Sequence, residues 1–192
     1  MDVKKLLKNK IISDAIIVKP GLINVSKFIN HQIDMNLMYD ISTFFVEHFK
    51  DKKPNKILTV EASGIIPAGL VAYFMGLPLV YAKKKSPITL GGDVYSRKIF
   101  STTRGEDVPL AISKAYISEN DNILIIDDFL SSGGSILGLV DILNEARANI
   151  VGFGVIIEKG FEQGRSRIEE RGIDVFSLIR IKSIENGIEF DT

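Results

Sequence analysis

The 192-residue chain contains no cysteine. Disulfides, thiolate nucleophiles and cysteine-ligated metals are therefore excluded. It has two histidines, His31 and His48, too few and too separated in sequence to suggest a metal centre, so both are read as structural. Neither sign of charge is in excess: 24 lysines and arginines balance 24 aspartates and glutamates. A protein that coats nucleic acid usually shows a basic surplus, so a general nucleic-acid binder is disfavoured. No apolar run approaches the roughly 20 residues needed to span a bilayer. The opening "MDVKKLLKNKIISDAIIVKP" lacks the apolar stretch of a secretion signal. The expectation is a cytoplasmic protein without a membrane partner. What is present is a 45% hydrophobic fraction, on a chain long enough for one domain with a proper core.

Residues 2–9 read as a short amphipathic helix, and residues 11–18 and 22–29 as two extended pieces around the turn signal Pro20-Gly21. Asp34 is placed to cap a helix running to about Lys50, with Leu37, Met38, Ile41, Phe44, Phe45 and Phe49 at helical spacing. From Lys56 the pattern alternates. "KILTVE", "PLVYAK", "LAISKAYI", "NILIIDD", "NIVGFGVIIEK" and "DVFSLIRI" read as strands. "GIIPAGLVAYFMG", closed by Gly76, "GGSILGLVDILNEARA" and "GRSRIEERG" read as helices. Strands alternating with helices imply an α/β fold with a mainly parallel sheet covered on both faces.

The stretch from Lys84 to Val108 has no clear element and contains Pro87, Gly91, Gly92 and Gly105. From Lys83 to Arg104 six basic residues (Lys83, Lys84, Lys85, Arg97, Lys98, Arg104) accompany one acid, Asp93. A gap of this length in a compact domain is read either as a mobile cationic lid over an anionic substrate or as a solvated β-hairpin or oligomer arm; the two are compatible.

The chemistry concentrates in "ILIIDDFLSSGGSI", residues 123–136. An apolar strand ends in Asp127 and Asp128, at the edge where open α/β sheets bind ligands. Adjacent carboxylates accept hydrogen bonds from vicinal hydroxyls and can help hold Mg²⁺. Ser131, Ser132, Gly133, Gly134 and Ser135 then open a helix. Glycine allows close backbone approach, and a helix N-terminus offers N–H donors and positive potential to a phosphate. Sugar hydroxyls at the acids and a phosphate at the turn describe a ribose phosphate. G-x-G-x-x-G is missing here, since Gly152-Phe153-Gly154 lies within a strand, and no G-K-S/T follows a glycine loop. Dinucleotide and triphosphate loops are therefore disfavoured. Lys159, ending "GVIIEK", is either a cleft ligand or a surface lysine by position alone.

"IIDDFLSSGGS" resembles the PRPP-binding motif of the type I phosphoribosyltransferases. The resemblance implies one domain over residues 1–192, with a parallel twisted sheet flanked by helices. It also implies a small hood from residues 1–50 and the C-terminal segment, and a flexible loop over residues 84–108. The implied reaction moves ribose 5-phosphate from PRPP to a nitrogen nucleophile and releases pyrophosphate with Mg²⁺. Asp127 and Asp128 would be the catalytic pair, and residues 131–135 the phosphate loop. "VEASGI", at 60–65, matches the family's pyrophosphate loop. That assigns Ala62, Ser63 and Gly64 to the diphosphate together with Lys83, where the family often carries arginine. "LINVSKFINHQID", "VYAKKKSPITL" and "VIIEKGFEQGR" are similar to segments of the family's bacterial xanthine-using branch, so Ile23, Asn30 and Lys159 match its purine contacts. Phe129 or Phe161 is a candidate to stack on the base. The product would be xanthosine 5'-monophosphate, and the resemblance implies a homodimer. The alternatives are another purine (guanine, hypoxanthine or adenine) or a PRPP-sensing regulator. For the regulator, the zero net charge and the roughly 50 residues before the first core strand leave little room for a DNA-binding module.

Overall fold

The computed structural model describes residues 2–84, 92–101 and 105–191. The chain starts with α1 (Val3–Asp14), capped by Asp2, whose carboxylate accepts from the N–H groups of Lys4 and Lys5. Burial of Val3, Leu7 and Ile11 on one face carries this helix past the expected end at residue 9. β1 (Ile16–Lys19) and β2 (Leu22–Asn24) pair antiparallel around Gly21, which has φ +78° as a tight turn favours.

The expected extended piece over residues 22–29 stops at Asn24. Its side-chain oxygen accepts from the Ser26 N–H at 2.8 Å and starts a π-helical turn, Ser26–Asn30. Phe28 and Ile29 are both fully buried. Adjacent strand residues face opposite sides, so only the turn puts both into one core. α2 (Met35–Phe49) follows as read, with Asp34 accepting from the Leu37 N–H at 3.1 Å.

The chain then runs through β3 (Lys56–Val60), α3 (Ile65–Met75), β4 (Leu79–Ala82), a separate ribbon of β5 (Val94–Ser101) and β6 (Glu106–Ser113), β7 (Asn122–Leu130), α4 (Gly134–Glu145), β8 (Asn149–Lys159), α5 (Gly164–Glu169), β9 (Val175–Ser183) and β10 (Glu189–Phe190), and six of these strands form the main sheet. Its strand order is β10-β9-β8-β7-β3-β4. Every neighbouring pair is parallel except β10 with β9. The antiparallel edge strand β10 was not foreseen. α1, α2 and α3 pack on one face with Ile57, Leu124, Ile126 and Ile156. α4 and the ribbon cover the other with Leu58, Ile125, Phe153 and Val155.

Between residues 84 and 113 the β-hairpin reading is met, with one face buried rather than solvated, and one expectation is corrected. The described part of the loop is an eight-pair antiparallel ribbon, from Val94↔Ser113 to Ser101↔Glu106. Its Ile99, Val108, Leu110 and Ile112 are buried in the core shared with α4. The segment read as a further sheet strand at residue 110 is the second arm of this ribbon, joined to the main sheet through the Lys83↔Ala111 bridge. Alternating burial on one ribbon face explains the outcome, which Pro109 and the nearby glycines obscured in the sequence. Lys85, Pro87, Gly91 and Arg104 lie outside the described residues.

Candidate active site

Because β3, β4, β7 and β8 run parallel, their carboxyl ends meet at one edge of the sheet, and the β1–β2 hairpin stands beside it. The cleft there has a volume of about 780 Å³, within the usual range for small-molecule sites.

At the end of β7, Asp127 is buried and Asp128 half-buried, and the Asp128 N–H donates to Asp127 Oδ1 at 3.0 Å. Burial pushes the Asp127 carboxyl well above the usual carboxylate range, and the charge of Asp128 adds to this; Lys84 opposes it weakly. Burial likewise raises Asp128. Desolvation and like charge thus leave the pair short of positive charge. Thr59 Oγ1, the buried side-chain oxygen without a hydrogen-bond partner among the described residues, lies beside Gly64 and Asp127. A Cβ built on Gly64 would sit 2.2 Å from Thr59 Oγ1 and 2.5 Å from Asp127 Oδ1, so only glycine fits.

After β7 the chain turns through residues 131–135, all lining the cleft. Gly133 has φ +79°, and its ideal Cβ would lie 3.2 Å from the Gly164 backbone, so conformation and close approach both require glycine. The turn opens α4, and no side chain caps its start, so its first N–H groups can serve an anion. α5 fixes the turn from behind: Arg167 donates to the Ser132 carbonyl at 2.6 Å. Ser131 Oγ donates to Glu162 Oε2 at 2.7 Å.

Lys159 also lines the cleft, and its side chain is only 11% exposed, which excludes the surface-lysine reading. Its Nζ donates to the Gly21 carbonyl at 2.9 Å and faces Glu162 Oε1 at 3.4 Å. The neighbouring Glu158 is buried. Burial alone would push its carboxyl up, but hydrogen bonds from Arg165 and Ser177 and the charges of Arg165 and Arg180 hold it below its ordinary range. Arg165 meets it through two nitrogens at 2.7 and 3.0 Å, and this network ties the end of β8 to α5 and β9.

At the end of β3, Ala62 and Ser63 line the cleft and Gly64 lies beneath Ser63 against Asp127. Lys83 is the expected residue that the structure does not bring in. Its ammonium sits 5.9 Å from the centre of the Tyr81 ring, whereas Lys84 lines the cleft. Side chains alternate along an extended chain, so Lys83 shares the outward side of the exposed Tyr81, and Lys84 follows the buried Ala82 inward. The Lys84 N–H donates to Glu61 Oε1 at 2.7 Å.

From the hood, Ile23 and Asn30 both line the cleft; Ile23 is buried, and the Asn30 amide has no protein partner among the described residues. Phe129 lines it too, while Phe161 is exposed elsewhere. His48 is stacked on Phe176 at 3.7 Å between ring centres, a packing role. Sequence reasoning missed Glu61, Lys84, Glu162 and Arg167. Strand parity was a signal for Lys84; the other three act through the path of turns that only the fold reveals.

Comparison with known proteins agrees with this geometry. The family model of the phosphoribosyl transferase domain matches residues 31–191. The chain is 45% identical over 185 residues to xanthine phosphoribosyltransferase 1 of Clostridium botulinum (strain Hall), covering 96% of this chain and 97% of that protein. It is 46% identical over 181 residues to the xanthine phosphoribosyltransferase of Staphylococcus carnosus, covering 94% of each. Among solved structures, an adenine phosphoribosyltransferase from Thermoanaerobacter pseudethanolicus superposes with a TM-score of 0.76 over 91% of this chain and 99% of that one. At 22% identity it shows the fold alone.

Proposed function

The chain belongs to the phosphoribosyl transferase domain family, and from that premise we propose that it transfers the 5-phosphoribosyl group of PRPP to xanthine, giving xanthosine 5'-monophosphate and pyrophosphate. The observation that carries the site assignment is the meeting, in one cleft, of a buried acid pair, a serine-glycine turn at a helix N-terminus, and Lys159. The turn holds the 5-phosphate through N–H groups and serine hydroxyls. Asp127 and Asp128 accept from the ribose hydroxyls and face the positive charge that develops on the ring. Ala62, Ser63, Gly64 and Lys84 receive the diphosphate. The bond from C1 to the diphosphate oxygen breaks, a bond from C1 to a purine nitrogen forms, and the nitrogen's proton leaves to solvent. No nucleophilic side chain is needed; holding the reactants in line and excluding water are the protein's task. The under-compensated acid pair fits a hard cation, so Asp127 and Asp128 would hold Mg²⁺. When bound, Mg²⁺ neutralises charge on the diphosphate.

Incubating the protein with PRPP, Mg²⁺ and each purine base in turn, and separating the nucleotides, tests the reading. Xanthosine 5'-monophosphate should form fastest. PRPP binding with no nucleotide from any base would instead indicate a sensor. The same reading includes a cytoplasmic homodimer, for which sedimentation should give twice the mass of the 21.3 kDa chain.

A further inference from the structure

We propose that Glu162 couples the two halves of the site, so that a phosphate on the serine-glycine turn tightens the grip of Lys159 on the base. The inference rests on the reading above, in which the turn binds phosphate and Lys159 binds the purine. Glu162 lies on the short connection between β8 and α5, and its two oxygens reach different subsites. Oε2 accepts the Ser131 proton at 2.7 Å; Oε1 faces the Lys159 ammonium at 3.4 Å. The Lys159 and Glu162 side chains are 11% and 25% exposed, so this pair is shielded from solvent more than an ordinary surface ion pair.

Proton counting gives the direction. A serine hydroxyl has one proton to donate. It serves Glu162 or an incoming phosphate, not both. A phosphate on the turn therefore removes a hydrogen bond from Glu162 and places a like charge next to it. Among the described residues, the cation already facing Glu162 is Lys159, so the carboxylate turns toward it. Lys159 has three N–H donors. One serves the Gly21 carbonyl and one the carboxylate. The third is left for an acceptor in the cleft. Two firm anchors fix where that third donor points, so the base finds it oriented in advance. Glu162 is thus a positioning residue that acts through Lys159.

Calorimetry of xanthine binding, with and without saturating ribose 5-phosphate, tests this. Ribose 5-phosphate carries the phosphate but no leaving group, so nothing reacts. For the unmodified protein, ribose 5-phosphate should raise xanthine affinity about fivefold or more, the usual lower range of coupling between sites. Glu162→Gln should show the weaker affinity in both conditions. Ser131→Ala should show the tighter affinity even without ribose 5-phosphate, because the carboxylate is already released to Lys159. Loss of a merely structural contact would not move the two variants in opposite directions. An equal response to ribose 5-phosphate in Glu162→Gln and the unmodified protein overturns the proposal, as does weakened xanthine binding in Ser131→Ala. Lys159→Ala separates the two levels. If it binds xanthine unchanged, the purine assignment itself falls, and the coupling with it. If it loses xanthine while Glu162→Gln responds normally, the coupling alone falls.

Discussion

Asp127 is buried against Gly64 with a second carboxylate beside it, and Lys84 is the opposing charge on the cleft wall. Folding raises its pKa above the unfolded value, so its favourable contribution is present below the ordinary carboxylate range and is lost as pH rises through the elevated folded pKa. The ligand-free protein should therefore become less stable over that window. Asp127→Asn removes the buried charge. Melting temperatures measured against pH should converge for the two proteins in acid and separate toward neutrality, with the variant more stable there by about 1–2 kcal/mol. Its turnover should fall by roughly a hundredfold, because the group proposed to meet the ribose and its developing charge is gone. A variant that is less stable than the parent at neutral pH would contradict the burial argument. The basic pair two strands away, after β4, gives a sharper residue-level test. Lys84→Ala should raise the KM for PRPP about tenfold, the usual worth of a charge-assisted hydrogen bond. Lys83→Ala should change it little, since Lys83 rests on Tyr81. The sequence offered three consecutive lysines, and composition alone does not prefer the second. The preference comes from the parity of β4, which is set by which of its residues the sheet buries.

Elements with strong periodicity were legible. α2 has its apolar positions at helical spacing and a capping aspartate, and both appear in place. β7 and β8 are continuous apolar runs, as strands buried on both faces must be. Short or locally mixed elements were not legible. The Ser26–Asn30 turn looks like part of a strand because Val25, Phe28 and Ile29 continue the apolar positions of Leu22 and Ile23, and the ribbon looks like a loop because glycine and proline interrupt it. The serine-glycine turn was legible because its backbone need is severe enough to dictate residue type. Gly133→Val tests that need. A β-branched side chain is strained at φ +79°, and its Cβ would press on the Gly164 backbone at 3.2 Å. The substitution should abolish measurable PRPP binding by calorimetry. The strands and α2 form their own cores away from the turn, so circular dichroism should still report a folded α/β protein. Unchanged PRPP affinity in a folded Gly133→Val variant would move the phosphate site elsewhere.

Across the whole molecule, the proposed purine end of the cleft joins parts of the chain that are far apart in sequence. Lys159 at the end of β8 hydrogen-bonds Gly21 of the hairpin, 138 positions away, and Ile23 and Asn30 reach the same cleft from the hood. Base choice therefore depends on docking of the hood on the sheet rather than on any single motif. The expected order is xanthine first, guanine and hypoxanthine next, and adenine last. Lys159 only donates. A 6-oxo purine offers its third N–H an acceptor, whereas adenine presents a 6-amino group and leaves that donor unpaired. That mismatch costs about 1–3 kcal/mol, or roughly tenfold to a hundredfold in kcat/KM. Xanthine and guanine differ at position 2, where oxygen replaces an amino group, and the Asn30 amide, without a partner among the described residues, is the group proposed to donate there. Lys159→Ala should lose activity on all 6-oxo purines, and Asn30→Ala should narrow the gap between xanthine and guanine while keeping both above adenine. Competition assays with mixed bases read these ratios directly. Adenine emerging as the best substrate of the unmodified protein would remove Lys159 from the base site, and with it the reason for assigning xanthine.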